Sequence, residues 1–151
     1  MIKLSKYYIV AMLLYANLCF ADHPTLNTEK NVNVTFLFPD STNKSVALTK
    51  DDVNQALKEK PLPKDLHIDT YKIDWWIFGA LQKLDIPFKA KTEGKTGNWK
   101  TTIIKIGDLS NGADGEWIFY VNGIRSKYYV STQLDSEVKS IKFEYKKQSQ
   151  Q

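Results

Sequence analysis

The chain holds little of what most catalytic chemistry needs. Its 151 residues include one cysteine, Cys19, and two histidines, His23 and His67. One thiol makes no disulfide framework, and a Cys/His metal cluster is excluded for want of ligands. His67-Ile68-Asp69 would set an imidazole and a carboxylate on one face of a strand, but a complete site needs a further ligand, so no metal is expected. No Gly-x-Ser-x-Gly elbow accompanies a base, which argues against serine catalysis. Gly94-Lys95-Thr96 resembles the end of a phosphate loop yet lacks the earlier glycine and a following helix. The 17 acidic residues offer many pairs, but none sits in a context that would raise a carboxyl pKa visibly. The expectation is a protein that is not an enzyme.

Long apolar runs are missing too. The longest, Ile9 to Ala16, is far short of the roughly 20 residues that cross a bilayer. It follows Lys3 and Lys6 and precedes Cys19-Phe20-Ala21, with small residues at the first and third positions before Asp22. A basic start, a short apolar core and such a break read as a secretory signal peptide over 1–21. Cleavage after Ala21 would remove the only cysteine and take Lys+Arg from 21 to 19 against 17 acids. The mature chain is then close to neutral and has no basic stripe, so no nucleic-acid partner is expected. Its expected place is the periplasm or the cell exterior, with no membrane insertion after cleavage.

What is present is a strand vocabulary. Residues 22–30 read as a flexible lead-in and 148–151 as a disordered tail, leaving one domain over 31–147. Val32, Val34, Phe36 and Phe38 alternate with polar positions until Pro39-Asp40-Ser41 stops them. Thr49 with Asp52 three residues on opens a short helix that carries Val53, Ala56 and Leu57 on one face and ends before Pro61. Leu66 to Ile73 alternates like a second strand. Asp74 can cap the next helix, whose apolar stripe at Ile77, Ala80, Leu81 and Leu84 is widened by Trp75, Trp76 and Phe78. This reads as a core helix lying across a sheet. Strands follow at 87–91, 99–106, 116–121, 124–130 and 141–146, with a flexible loop at 94–98. Asn122-Gly123 suits a type I′ hairpin turn. One main helix on a mostly antiparallel twisted sheet, with a short inserted helix, makes an α+β roll of the β-grasp kind.

The order from Leu66 to Tyr145 resembles the β-grasp-like domain at the C-terminus of transcobalamin and intrinsic factor, which recurs in small secreted proteins. The resemblance rests on Gly79-Ala80-Leu81-Gln82-Lys83-Leu84, Ile103-Ile104-Lys105-Ile106-Gly107-Asp108-Leu109, Asn111-Gly112 and above all Trp117-Ile118-Phe119-Tyr120-Val121-Asn122-Gly123. The sequence departs from that pattern at Ser136-Glu137-Val138-Lys139-Ser140, where Gly-Asp is usual, and in the long connection 39–64. In the cobalamin carriers the domain closes over one face of the corrin. The resemblance therefore implies a secreted binding module, with cobalamin as one candidate ligand and Trp117, Tyr120, Asn122, Tyr128 and Tyr129 as candidate contacts. The alternative is a protein–protein interaction subunit, or an enzyme inhibitor, of the cell envelope.

Overall fold

The computed structural model describes residues 30–70, 72–95, 98–126, 130 and 137–148. The expected leader, almost all of the lead-in, Tyr128, Tyr129 and the last three residues lie outside the described residues. Two helices and two sheets make a mixed α and β fold. Strands β1 (Val32–Leu37), β2 (Asn43–Leu48), β6 (Gly115–Val121), β7 (Ile124–Arg125) and β8 (Ser140–Lys147) form a five-stranded sheet in the order β2-β1-β8-β6-β7. Within it β1 runs parallel to β8, and every other pair is antiparallel. A second, antiparallel sheet holds β3 (Phe88–Lys95), β4 (Asn98–Ile106) and β5 (Leu109–Ser110).

Helix α1 spans Lys50–Glu59 and starts as its sequence predicts. Asp52 N–H donates to Thr49 Oγ1 at 3.1 Å, and Thr49 N–H donates back to the Asp52 carboxylate at 3.0 Å. This reciprocal pair satisfies two of the backbone donors that a helix start leaves over. Val53 and Ala56 are buried on one face.

Helix α2, Ile73–Lys83, is the centre of the molecule. Every residue from Ile73 to Leu81 is buried. That is why Trp75, Trp76 and Phe78 spread beyond one stripe: a helix apolar on all sides is one that is covered on all sides. Its neighbours are α1, the β1–β2 hairpin and, through a Phe78–Phe88 ring contact at 5.2 Å, β3. Gly79 lets α1 come close. A Cβ there would stand 2.6 Å from one Val53 methyl and 2.9 Å from the other. Gly79→Ala should therefore cost about 1–3 kcal/mol through overpacking. Val53→Ala in the same chain should recover part of that loss, and simple additivity in a urea-denaturation cycle would contradict the contact.

Four local expectations need correction. The connection 39–64 contains β2, which pairs with β1 from Val32↔Leu48 to Leu37↔Asn43. Pro39-Asp40-Ser41 is thus a hairpin turn and not only a stop: Phe38 N–H donates to Thr42 O, and Asp40 Oδ1 accepts from the Thr42 N–H. β2 was hard to read because Asn43, Lys44 and Ser45 lie exposed on the outermost strand. The alternating stretch 66–73 is not a strand. Its buried Leu66 fits the pattern, but side chains take its backbone groups: His67 N–H donates to Thr92 Oγ1, and Thr101 Oγ1 donates to His67 O. Asp74 does not cap α2; Lys72 holds that position without a side-chain bond, and Asp74 lies inside the first turn. The loop expected at 94–98 is largely hairpin, since β3 runs to Lys95 and pairs it with Asn98.

Candidate functional site

The inner face of β6 carries Trp117, Phe119 and Val121, and its outer face Glu116, Ile118 and Tyr120, because strand side chains alternate. The register fixes their neighbours. Trp117 pairs with Tyr145, Phe119 with Phe143 and Val121 with Ile141 on β8, and Phe143 pairs in turn with Phe36 on β1. Three phenyl rings therefore stack across three strands, Phe36 to Phe143 at 5.6 Å and Phe143 to Phe119 at 5.5 Å, with interplanar angles of 21° and 19°. Among the described residues the stack ends at Phe119.

Against Phe119 and Phe143 lies a partly open cleft of about 130 Å³ between the two sheets. The two sheets are tied together at β5, where Trp117 Nε1–H donates to Leu109 O and the Tyr145 hydroxyl donates to Ser110 O. Trp117, Phe119 and Phe143 form one wall, and Ile103 of β4 with Val130 the other. Thr101, Thr102 and Asn111 complete the lining, and none of these described residues is ionisable.

The polar atoms of the lining are largely committed to the protein itself. Asn111 Nδ2 donates to Ile103 O at 2.9 Å, and Asn111 Oδ1 accepts from Trp117 N–H at 2.7 Å. The buried Thr101 hydroxyl donates to His67 O at 3.2 Å. Trp117 Nε1–H donates to Leu109 O at 3.0 Å. With these groups satisfied, the cleft offers apolar contact and aromatic faces but no acid, base or activated nucleophile among the described residues.

The five candidate residues read from the sequence do not come together here. Trp117 is 8% exposed, packs edge-on against Phe38 and Tyr145 and shows only its inner side to the cleft. Tyr120 lies on the opposite face of the sheet, with the Lys142 ammonium 4.3 Å from its ring centre. Three positions apart on a strand means opposite sides. Asn122 holds the turn with φ of 50°, and its side chain is spent on backbone: Nδ2 donates to Glu137 O, while Oδ1 accepts from Lys139 and Ser140 N–H. It anchors the segment that leads into β8. Tyr128 and Tyr129 lie outside the described residues.

Asn122→Gly keeps the positive φ and loses the three bonds, so it should cost about 1 kcal/mol. Asn122→Ala loses both and should cost about 1 kcal/mol more. Denaturation midpoints unchanged in both variants would reassign the amide to ligand contact.

Phe119, Phe143, Ile103 and Asn111 join the site without having been singled out. Phe119 was within reach, since it shares a face with Trp117 two residues away. Ile103 and Asn111 were not, because only the meeting of two sheets puts them opposite β6.

His67 stacks on Trp99 at 4.4 Å, Asp69 stands 3.8 Å from the Lys72 ammonium, and no group of three His, Cys, Asp or Glu side chains among the described residues could hold an ion. No described helix is long and apolar enough to cross a membrane.

No protein-family model matches the chain, and no curated protein is similar to it. Among solved structures, a protein of Ruminococcus gnavus ATCC 29149, provisionally described as metal binding and determined at 1.30 Å, aligns with a TM-score of 0.45. The identity is 12%, over 80% of this chain and 99% of that one. A likeness at that level carries no weight for fold or function.

Proposed function

We propose that this protein is an exported, non-enzymatic binding module that holds a small ligand against the inner face of β6. The observation that supports this best is the cleft against Phe119 and Phe143, where aromatic side chains meet polar groups largely satisfied by the protein. Such a surface recognises by shape and apolar contact, and none of the described residues along it is an acid, a base or an activated nucleophile. A β-grasp-like assignment belongs to the same proposal. It is supported by an opening hairpin, a helix and a parallel pairing of β1 with the closing strand, β8. Export rests on the leader-like start, and the mass of protein recovered outside the cytoplasm should begin at Asp22.

Cobalamin, which the transcobalamin-like resemblance implies, remains a candidate ligand. The cleft lies well below the roughly 300–1,000 Å³ of pockets that enclose drug-sized molecules. A corrin would therefore lie across the surface, with at most one edge in the cleft. Calorimetric titration with cobalamin, cobinamide and a panel of small neutral aromatics tests the module. Saturable heat from any of them supports it, and silence from all of them removes it.

A second reading, an envelope interaction subunit or inhibitor, is favoured by the outer face of the five-stranded sheet. There the half-buried Leu37, Ile118 and Tyr120 lie beside Lys142, Glu144 and Lys146 with no layer of described residues over them. Glu144 takes both lysines, and their ammonium groups hold its carboxyl below the usual range.

A further inference from the structure

We infer that the cleft between β4 and β6 is a site for one planar, uncharged aromatic ring, bound against the rings of Phe119 and Phe143. This rests on the binding-module reading and names the ligand's chemical class. Three observations carry it.

The first is size. Cavities of about 150 Å³ lined by Leu, Ile and Phe side chains take up benzene, and this cleft measures about 130 Å³. That is room for a single six-membered ring with a small substituent. The second is charge. No described lining residue is ionisable, so none of them offers a countercharge to offset the hydration that a carboxylate or an ammonium would lose. The third is geometry. The rings of Phe119 and Phe143 stand 5.5 Å apart and both line the cleft, as does the Trp117 indole. A ligand ring there would meet them in the offset or edge-on arrangements that aromatic pairs prefer, and Ile103 and Val130 belong to the same lining.

Toluene is the probe, titrated into 15N- and methyl-labelled protein and followed by NMR. The expected result is saturable shifts centred on Ile103, Phe119, Val130 and Phe143, with a Kd of roughly 0.1–1 mM for seven heavy atoms. Benzoate at the same concentrations should bind at least tenfold more weakly. Ile103→Trp fills the cleft and should abolish the toluene shifts. If that variant fails to fold, Phe119→Leu serves instead: it keeps apolar volume but removes the stacking face, and should erase the severalfold preference for toluene over methylcyclohexane. Equal binding of benzoate, shifts scattered over the surface, or a folded Ile103→Trp protein that still binds would each overturn the inference. Saturation by cobinamide without any response to toluene would reject the aromatic-ring site and leave the binding module standing. No response to either would reject both.

Discussion

Asp74→Asn is expected to be more stable than the wild type by roughly 3–4 kcal/mol at pH 8 and almost equal to it at pH 4. Asp74 is 1% exposed in the first turn of α2. Its Oδ1 accepts from the Trp75 N–H at 2.9 Å, while Oδ2 is buried with no hydrogen-bond partner. Burial dominates and pushes the carboxyl from 3.8 up to about 7, against the backbone N–H groups of Trp75 and Asp69 and the Lys72 charge, which favour the ionised form; the Asp69 charge adds a little to the rise. Between pH 3.8 and 7 the folded chain therefore holds a proton that the unfolded chain has released. Stability due to this group is fully present below the unfolded pKa, falls as pH rises through that window and levels off above it. The asparagine mimics the protonated acid at every pH, so its stability should lack that slope. Urea denaturation at half-unit steps from pH 4 to 8 measures it. Parallel curves for the two proteins would mean that Asp74 ionises freely and is not as enclosed as its burial indicates.

Trp117→Ala should cost about 3–5 kcal/mol, the range for emptying a large buried aromatic site. Three terms combine. The indole is edge-packed on Phe38 at 5.4 Å and on Tyr145 at 5.3 Å. Its Nε1–H is the donor to Leu109 O, so the substitution also leaves a carbonyl of β5 without that bond. Its removal enlarges the cleft already present beside it. Trp117→Phe separates these terms: it retains most of the packing, gives up the hydrogen bond and should cost about 1 kcal/mol. Unfolding midpoints for the two variants decide the role of the residue. If Trp117→Ala unfolds within a few tenths of a kcal/mol of the wild type, the indole is a surface contact awaiting a ligand, and the core assignment fails.

Such contrasts show how unevenly the architecture could be read. The capping box at Thr49 and Asp52 was visible because it depends on four consecutive positions. Helix α2 was visible because its apolar excess has no strand-like period. The inner face of β6 was visible because alternation is a backbone property. The 66–73 segment failed for the opposite reason. Its alternation was real, but whether a backbone group bonds to a neighbouring strand or to the hydroxyls of Thr92 and Thr101 depends on what folds beside it. β2 failed because an outermost strand need bury little, so it shows little pattern.

The amino-acid sequence by itself determined the local chemistry: the start of α1, the faces of the strands, the Asn-Gly turn and the poverty of catalytic groups. Each of these follows from residues within a few positions of one another. Only the tertiary structure decided that Trp117 and Tyr120 stand on opposite sides of a sheet facing different surroundings. Only it set Ile103 and Asn111 against β6, and carried a phenyl stack across β1, β8 and β6. Those outcomes depend on strand order and register, which arise when distant segments pack, and no local period encodes them.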